Sequence, residues 1–401
     1  MYDITSAVSA LNNQPLSEEL VCKHLHPLFK QTLQMSTSNI YLANHSLGRP
    51  LDKTKQDVEV AIKVWYENLT TAWEYWGEQI ESYRQQITKL IHAPNTDCIV
   101  PKLNAGQGLR TILNCYDEKI GVLTTSDEFT SLDFILKNYQ LRGRIDLKKV
   151  APTNDRYYAT EALIQSIDKS IHLVVVSLVL FTTGQFLDDL AEITRAAHQK
   201  GVFVLVDLYH AAGIVPVDVS LLEIDFAVGG CYKYLRGGPG ACWLYIHPRH
   251  LDGSLRTLDI GWFAQPDPFN FQRPEKVEFA SGGDAFLEST PAVLTYYQAK
   301  AGLEFVLALG VPRLRDYSLY QQNLLCELLQ QQGISMLGNR EKYGAFIALP
   351  HSNAEQIMEQ LFKERIITDS REGYLRICPD ILNTTNELET ASIKIANYLK
   401  T

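Results

Sequence analysis

Between residues 98 and 246 the chain alternates short apolar runs with helical patterns, and this alternation constrains its fold more than any other feature. The runs at 98–100, 121–124, 173–180, 202–206, 226–228 and 241–246 have the length and apolar character of buried strands. Segments of helical period lie between several of them, at 108–116, 131–139 and 187–200, the last with Leu190, Ile193 and Ala197 on one face. Strands that alternate with helices form a mostly parallel sheet covered on both sides, so the expected fold class is α/β. Sheets of this kind bind ligands beyond the carboxyl ends of their strands.

The flanks read differently. Residues 51–91 carry Val58, Ile62, Trp65, Leu69, Trp73, Trp76 and Ile80 near helical spacing, which predicts one long helix or two in succession, ending before Pro94. The first 40 residues read as a short helix and an arm. Beyond Pro291 the pattern gives helices at 292–309, 313–332, 353–363 and 387–399 around an apolar run at 345–349, a smaller α+β unit. The expected division is an N-terminal segment, 1–50, packed with the small domain; a large domain, 51–300; and a small C-terminal domain, 301–401.

The 401 residues suffice for two or three such units. A formal net charge of -9 argues against a nucleic-acid partner, because phosphate binding needs a basic surface, and leaves a small molecule as the expected ligand. The longest apolar run, 173–181, is about half a membrane span, and the N-terminus lacks the basic and apolar regions of a secretion signal; the expected location is cytoplasmic, with no membrane partner. Seven cysteines form no CxxC or Cys/His metal spacing, so no metal site is expected and the thiols read as reduced.

Chemistry concentrates in 202–240, VFVLVDLYHAAGIVPVDVSLLEIDFAVGGCYKYLRGGPG. Asp207 closes a buried apolar run, where an acid is costly unless something pairs with it. Standing alone, it would also fit a helix cap. About 26 positions on, Lys233 lies between tyrosines and before a glycine cluster, surroundings that leave an amine poorly hydrated and lower its pKa. An acid and a lysine so placed suit a carboxylate under a heterocyclic nitrogen and an amine joined as an imine to the same ring. Upstream, KLNAGQG (102–108) follows a predicted strand and opens a helix, so its amides suit a phosphate.

These residues in this order resemble the class V group of fold-type-I pyridoxal-phosphate enzymes, and among them the kynureninases. DLYHA (207–211), IDFAV (224–228), CYKYLR (231–236) and GGPGA (237–241) are similar to that family's DLAHA, VDFA, SYKYLN and GPGG. GWFAQ (261–265), FLESTPAVL (286–294), YLANHSLGRP (41–50) and TTGQ (182–185) resemble its GWFGH, FQxSNPPxL, YLxGNSLG and YTGQ. The resemblance implies a large domain with a seven-stranded, mostly parallel sheet and a smaller C-terminal domain.

It also implies roles. Lys233 would bind pyridoxal 5'-phosphate as an imine and shuttle the Cα proton, Asp207 would pair with the pyridine nitrogen, and His210 would lie beside the ring or orient Asp207. Tyr232, Ala105 and Gly106 would hold the phosphate, Phe129 would stack on the ring, and Ser177 would touch the cofactor side of the pocket. Trp262 and Thr290 match positions that reach the phosphate from a neighbouring subunit, implying a homodimer with shared sites. Arg376 in YLRICPD matches the arginine that clamps the substrate α-carboxylate, a task suited to its planar fork. Taken alone, Phe129 and Trp262 also fit core aromatics, Ser177 a buried hydroxyl and Arg376 a salt bridge.

The departures lie on the substrate side. Residues 65–79 carry WYENLTTAWEYWGEQ where the family has a GHExGxxPW segment; Gln265 replaces the histidine of GWFGH, Thr290 the asparagine of SNP, and His45 the asparagine of GNSLG. His45 and Gln265 are therefore substrate-side candidates. The implied reaction is hydrolytic Cβ–Cγ cleavage of kynurenine, 3-hydroxykynurenine or a related 2-amino-4-oxo acid to alanine and an aromatic acid, as in tryptophan catabolism. The alternatives are a class V aminotransferase, a C–S lyase, or a ligand-binding protein that has lost catalysis. Desulfuration of the persulfide type needs a mobile loop cysteine, and Cys378 in LRICPD does not lie in such a loop.

Overall fold

The computed structural model describes residues 3–35, 39–154, 156–335 and 342–400. Its strands in chain order are β1 (Ile40–Tyr41), β2 (Ile99–Lys102), β3 (Ile120–Thr125), β4 (Ile145–Val150), β5 (Leu173–Ser177), β6 (Phe203–Asp207), β7 (Phe226–Gly230), β8 (Cys242–Ile246), β9 (Ile347–Pro350), β10 (Ile366–Ile367), β11 (Asp369–Arg371) and β12 (Tyr374–Ile377). Seven of them make one sheet in the order β2-β8-β7-β6-β5-β3-β4. Only β8 runs antiparallel to its neighbours. The expected α/β architecture with a mostly parallel sheet is what the chain forms.

The central strands are buried on both faces, which explains their unbroken apolar sequence. Their side chains alternate between two cores: Val174, Val176, Val204 and Val206 pack on one side, and Leu173, Val175, Leu205 and Val228 on the other. Each such burial contributes about 1.5–3 kcal/mol. The helix Ala105–Leu113 lies close on the second face because Gly108 has no side chain; a Cβ there would stand 2.5 Å from Val228 Cγ1.

The 51–91 pattern resolves into two helices, Lys53–Glu67 and Ala72–Leu90. The first 40 residues are more helical than expected, with turns at Ile4–Ser9, Glu18–Leu20 and Lys30–Met35. The strand expected at 173–180 ends at Ser177, and β4 lies where none was expected. β4 is the sheet's edge strand; its middle residues are partly exposed and include Lys148 and Lys149, so it lacks the apolar run that marks a central strand.

Toward the C-terminus, β11, β12 and β9 form an antiparallel sheet over a third core with Leu325, Leu329, Leu361 and Ile395. β1 pairs with β10 beside it, so the segment after β1 runs from the C-terminal core to the large sheet. There Gly48 donates its amide to Tyr232 O at 2.8 Å. A Cβ on Gly48 would lie 1.8 Å from Lys233 O, so this approach admits only glycine. Among the described residues no helix is long and apolar enough to cross a membrane.

Candidate active site

The carboxyl ends of β5 and β6 set Ser177 opposite Asp207 in register, and the loop after β7 returns Lys233 to the same edge. One pocket there is lined by Phe129, Ser177, Val179, Phe181, Asp207, Tyr209, His210, Tyr232 and Lys233. Six residues singled out from the sequence thus come together: Phe129, Ser177, Asp207, His210, Tyr232 and Lys233.

Asp207 is buried and accepts a hydrogen bond from the Tyr209 amide at 2.8 Å. Burial pushes its carboxyl up to about 6, against the pull of that amide and of Lys233. The Lys233 amine donates to His45 O at 2.8 Å, lies 2.6 Å from His210 Nε2 and sits 5.3 Å above the Tyr232 ring. Burial and then the Arg376 charge bring it down to about 7, so a large share of it is the neutral nucleophile near pH 7. Burial and the Lys233 charge keep His210 well below the usual imidazole range. His210 therefore contacts Lys233 rather than orienting Asp207, and its ring lies parallel to Phe181 at 5.9 Å. Phe129 packs 5.4 Å from the same phenylalanine.

Two further residues at this edge, Glu128 and Tyr209, were given no role from the sequence. Glu128, buried beside Phe129, accepts hydrogen bonds from Thr125 Oγ1 at 2.7 Å and the Ser177 amide at 3.2 Å, and its second oxygen is 2.5 Å from Ser177 Oγ. Burial pushes its carboxyl up to about 7; these hydrogen bonds oppose the rise and Asp207 adds to it. The Ser177 hydroxyl is thus bound to Glu128. Tyr209 bridges toward the 102–106 loop, its hydroxyl 2.7 Å from Cys242 Sγ, which donates to Leu103 O at 3.1 Å.

At that loop Asn104 caps the helix by accepting from the Gln107 amide at 2.9 Å. The amides of Ala105 and Gly106, the first two helical residues, have no protein acceptor among the described residues. They are the donors that a helix N-terminus offers an anion.

On the other side of Lys233, Arg376 donates Nε and one terminal nitrogen to the two oxygens of Asp369, at 2.7 and 2.6 Å, and its other terminal nitrogen to Phe181 O at 2.6 Å. Three of its five N–H groups are so used; one remains on each terminal nitrogen. Asp369 also meets His45 Nε2 at 2.9 Å. Burial pushes Asp369 up, but His45 and Arg376 outweigh it and hold the carboxyl well below the usual range. Asp369 was not evident in the sequence; the signal was the tight DSREGYLR hairpin, whose register sets Asp369 directly across from Arg376.

Trp262, Gln265 and Thr290 do not reach this pocket within one chain. Trp262 sits in an aromatic cluster with Trp73 at 6.3 Å, Phe263 at 4.8 Å and Phe269 at 5.5 Å, and the Gln265 amide donates to Trp262 O at 3.4 Å. Thr290 lines a separate cleft with Arg84, Lys102, Gln107 and Glu288. Cys378 is buried, donates to Ala345 O at 3.0 Å and is pushed up to about 12 by burial, the opposite of a reactive thiolate.

The residues fit pyridoxal 5'-phosphate. A buried acid with one amide partner, a buried amine held by a carbonyl and an imidazole, and two unpaired helix amides are the complementary groups for a pyridinium nitrogen, a carbonyl carbon and a phosphate.

Comparison with known proteins agrees. Residues 64–379 match the family model described as Aminotransferase class-V. The kynureninase of Bacillus anthracis is 28% identical over 391 residues, covering 92% of this chain and 90% of that protein. That of Deinococcus radiodurans is 28% identical over 363 residues, covering 86% and 84%. Among solved structures, the cystine C-S lyase C-DES in complex with cysteine persulfide superposes with a TM-score of 0.82 at 21% identity, covering 91% of this chain and 99% of that one. Apo cysteine desulfurase from Thermococcus onnurineus NA1 gives 0.79 at 17% identity, covering 93% and 98%. These two likenesses concern the fold.

Proposed function

The chain belongs to the aminotransferase class-V family and is a pyridoxal 5'-phosphate-dependent enzyme acting on an amino acid, and on that premise we propose that it is a kynureninase-like hydrolase. It would cleave the Cβ–Cγ bond of kynurenine, 3-hydroxykynurenine or a related 2-amino-4-oxo acid, giving alanine and an aromatic acid. The observation that carries the reading is the pairing, in one pocket, of a Lys233 amine poised near neutrality with an Asp207 carboxylate short of partners. The similarity to kynureninases over 92% of the chain supports this choice of reaction.

Bound, the cofactor supplies an electron sink for negative charge at the substrate Cα. The protein does the rest. Lys233 Nζ holds the cofactor's carbonyl carbon and moves the Cα proton, a task that needs an amine able to be neutral. Asp207 keeps the ring nitrogen protonated, since a buried carboxylate favours a cationic partner. The Ala105 and Gly106 amides and Tyr232 would hold the phosphate, Phe129 and His210 would lie beside the ring, and Ser177, fixed by Glu128, would bound the same pocket. Arg376 presents its two remaining N–H groups to the α-carboxylate. Trp262 and Thr290 lie off the pocket in one chain; in a homodimer they would complete the phosphate site, and Gln265 would serve the substrate.

Incubation with L-kynurenine and with 3-hydroxykynurenine, followed by the fluorescence of the released anthranilates, tests the reading. Product from neither removes both as substrates. A second reading, β-elimination by a C–S lyase, draws on Gln265 and Thr290, which stand where the kynureninase pattern has histidine and asparagine; release of pyruvate, ammonia and cysteine persulfide from cystine would favour it.

A further inference from the structure

His45 is fully buried, and its Nε2 faces the carboxylate of Asp369 at 2.9 Å. Asp369 is also bound through both oxygens by Arg376, an arrangement that requires the ionised carboxylate. An ionised carboxylate only accepts, so Nε2 carries the imidazole proton and Nδ1 is a bare lone pair. Nδ1 is buried and has no hydrogen-bond partner. A buried acceptor without a donor is costly, and this one stands in the residue whose carbonyl oxygen holds the Lys233 amine at 2.8 Å. Its ring stacks on Phe346 at 4.6 Å and stands 6.4 Å from the His210 ring.

We infer that His45 Nδ1 is the proton acceptor of the substrate side of the site and that Asp369 is the positioning residue that fixes its tautomer. The inference rests on the hydrolytic reading above and names the group that reading lacks, a base for the water. As the water oxygen bonds the γ-carbonyl carbon, one water O–H bond breaks to Nδ1 and the carbonyl electron pair moves to the γ-oxygen. Collapse of that adduct re-forms the carbonyl and breaks Cβ–Cγ with its pair on Cβ; the acid leaves with the remaining water hydrogen, and the Nδ1 proton returns to Cβ. Burial and the Arg376 charge, opposed by Asp369, bring His45 down to about 4, so the ring is neutral and able to accept at working pH. The charged or titratable groups around it are Asp369, Arg376, Lys233, His210 and Cys378. The same carboxylate fixes Arg376, so one group aligns the substrate clamp and the base.

The test uses the holoenzyme and two readouts. The first is the nitrogen-15 spectrum of the histidines, assigned through His45→Gln: His45 should be the Nε2-protonated tautomer from pH 8 to pH 5.5, its Nδ1 resonance moving when L-kynurenine is added. The second is the ratio of kynurenine cleavage to Cα-proton exchange in deuterium oxide, since exchange needs no water addition. In His45→Ala that ratio should fall about 100-fold, the usual weight of a general base, and free imidazole should restore part of it. In Asp369→Asn it should fall with a shifted pH profile. A protonated Nδ1, or one unmoved by L-kynurenine, overturns the inference, as does an unchanged ratio. If the wild type exchanges Cα hydrogen but does not cleave, the hydrolytic reading fails instead, and the Nδ1 resonance with L-kynurenine bound decides the inference alone.

Discussion

Lys233 Nζ and His210 Nε2 stand 2.6 Å apart in a pocket from which both side chains are almost wholly hidden from water. Neither readily keeps a charge there: burial brings the lysine down to about 7 and the histidine well below its ordinary range. Asp207 and Asp369 pull the lysine the other way without outweighing burial and the Arg376 charge, and the side chain it touches directly is the imidazole.

The first consequence is a stability slope in the cofactor-free protein. A lysine whose folded pKa is lowered binds fewer protons folded than unfolded, so stability is lost as pH falls from about 10.5 to about 7 and changes little below. Lys233→Met removes that loss. Denaturant melts of the two apoproteins should agree near pH 11 and diverge toward pH 7, the variant being more stable by on the order of a few kcal/mol; parallel curves would contradict this.

Glu128 gives the complementary case. Its folded pKa is raised from 4.5 to about 7, so the stability it contributes is present below pH 4.5 and lost as pH rises through 7. Glu128→Gln keeps an acceptor for Thr125 and a donor for Ser177, and should raise the melting temperature at pH 8 while leaving it nearly unchanged at pH 4.5. A lower melting temperature at both values would refute the assignment.

The sequence carried the sheet and the centre of the pocket but not their supports. The runs around Val174, Val204 and Phe226 are apolar because both their faces are buried, and period alone shows that. β4 escaped because an edge strand tolerates Lys148 and Lys149. Asp207 and Lys233 were legible because an acid and a lysine beside buried strands and glycines are unusual; Asp369 and Glu128 are ordinary carboxylates in sequence and gain meaning only from Arg376 across a hairpin and Ser177 across the sheet. Trp262, Gln265 and Thr290 matched a pattern, but in the fold of one chain they lie outside the pocket that holds Lys233.

A buried ionic group fastens three segments of the site. Asp380 accepts from Arg236 at 2.5 and 2.9 Å and from Arg49 at 3.4 Å, joining the 41–50 segment, the Lys233 loop and the C-terminal core. Arg236 holds a left-handed backbone, φ 57°, which this pairing stabilises. Asp380→Ala leaves two buried guanidiniums unmatched and should cost about 3–5 kcal/mol, with faster cofactor loss on gel filtration; a loss below 1 kcal/mol would show that the network is dispensable.

Gly48→Ala places a methyl 1.8 Å from Lys233 O, so it must push the 41–50 segment away from the lysine loop. The expected outcome is loss of cofactor binding by more than tenfold with the large-sheet fold retained by circular dichroism. Wild-type affinity would show that the two segments do not need this approach.

The most direct measurement is borohydride reduction of the protein loaded with pyridoxal 5'-phosphate, followed by peptide mass mapping. A reduced cofactor adduct on Lys233, absent from Lys233→Ala, is the predicted result. An adduct on another lysine, or none, would contradict the site as assigned.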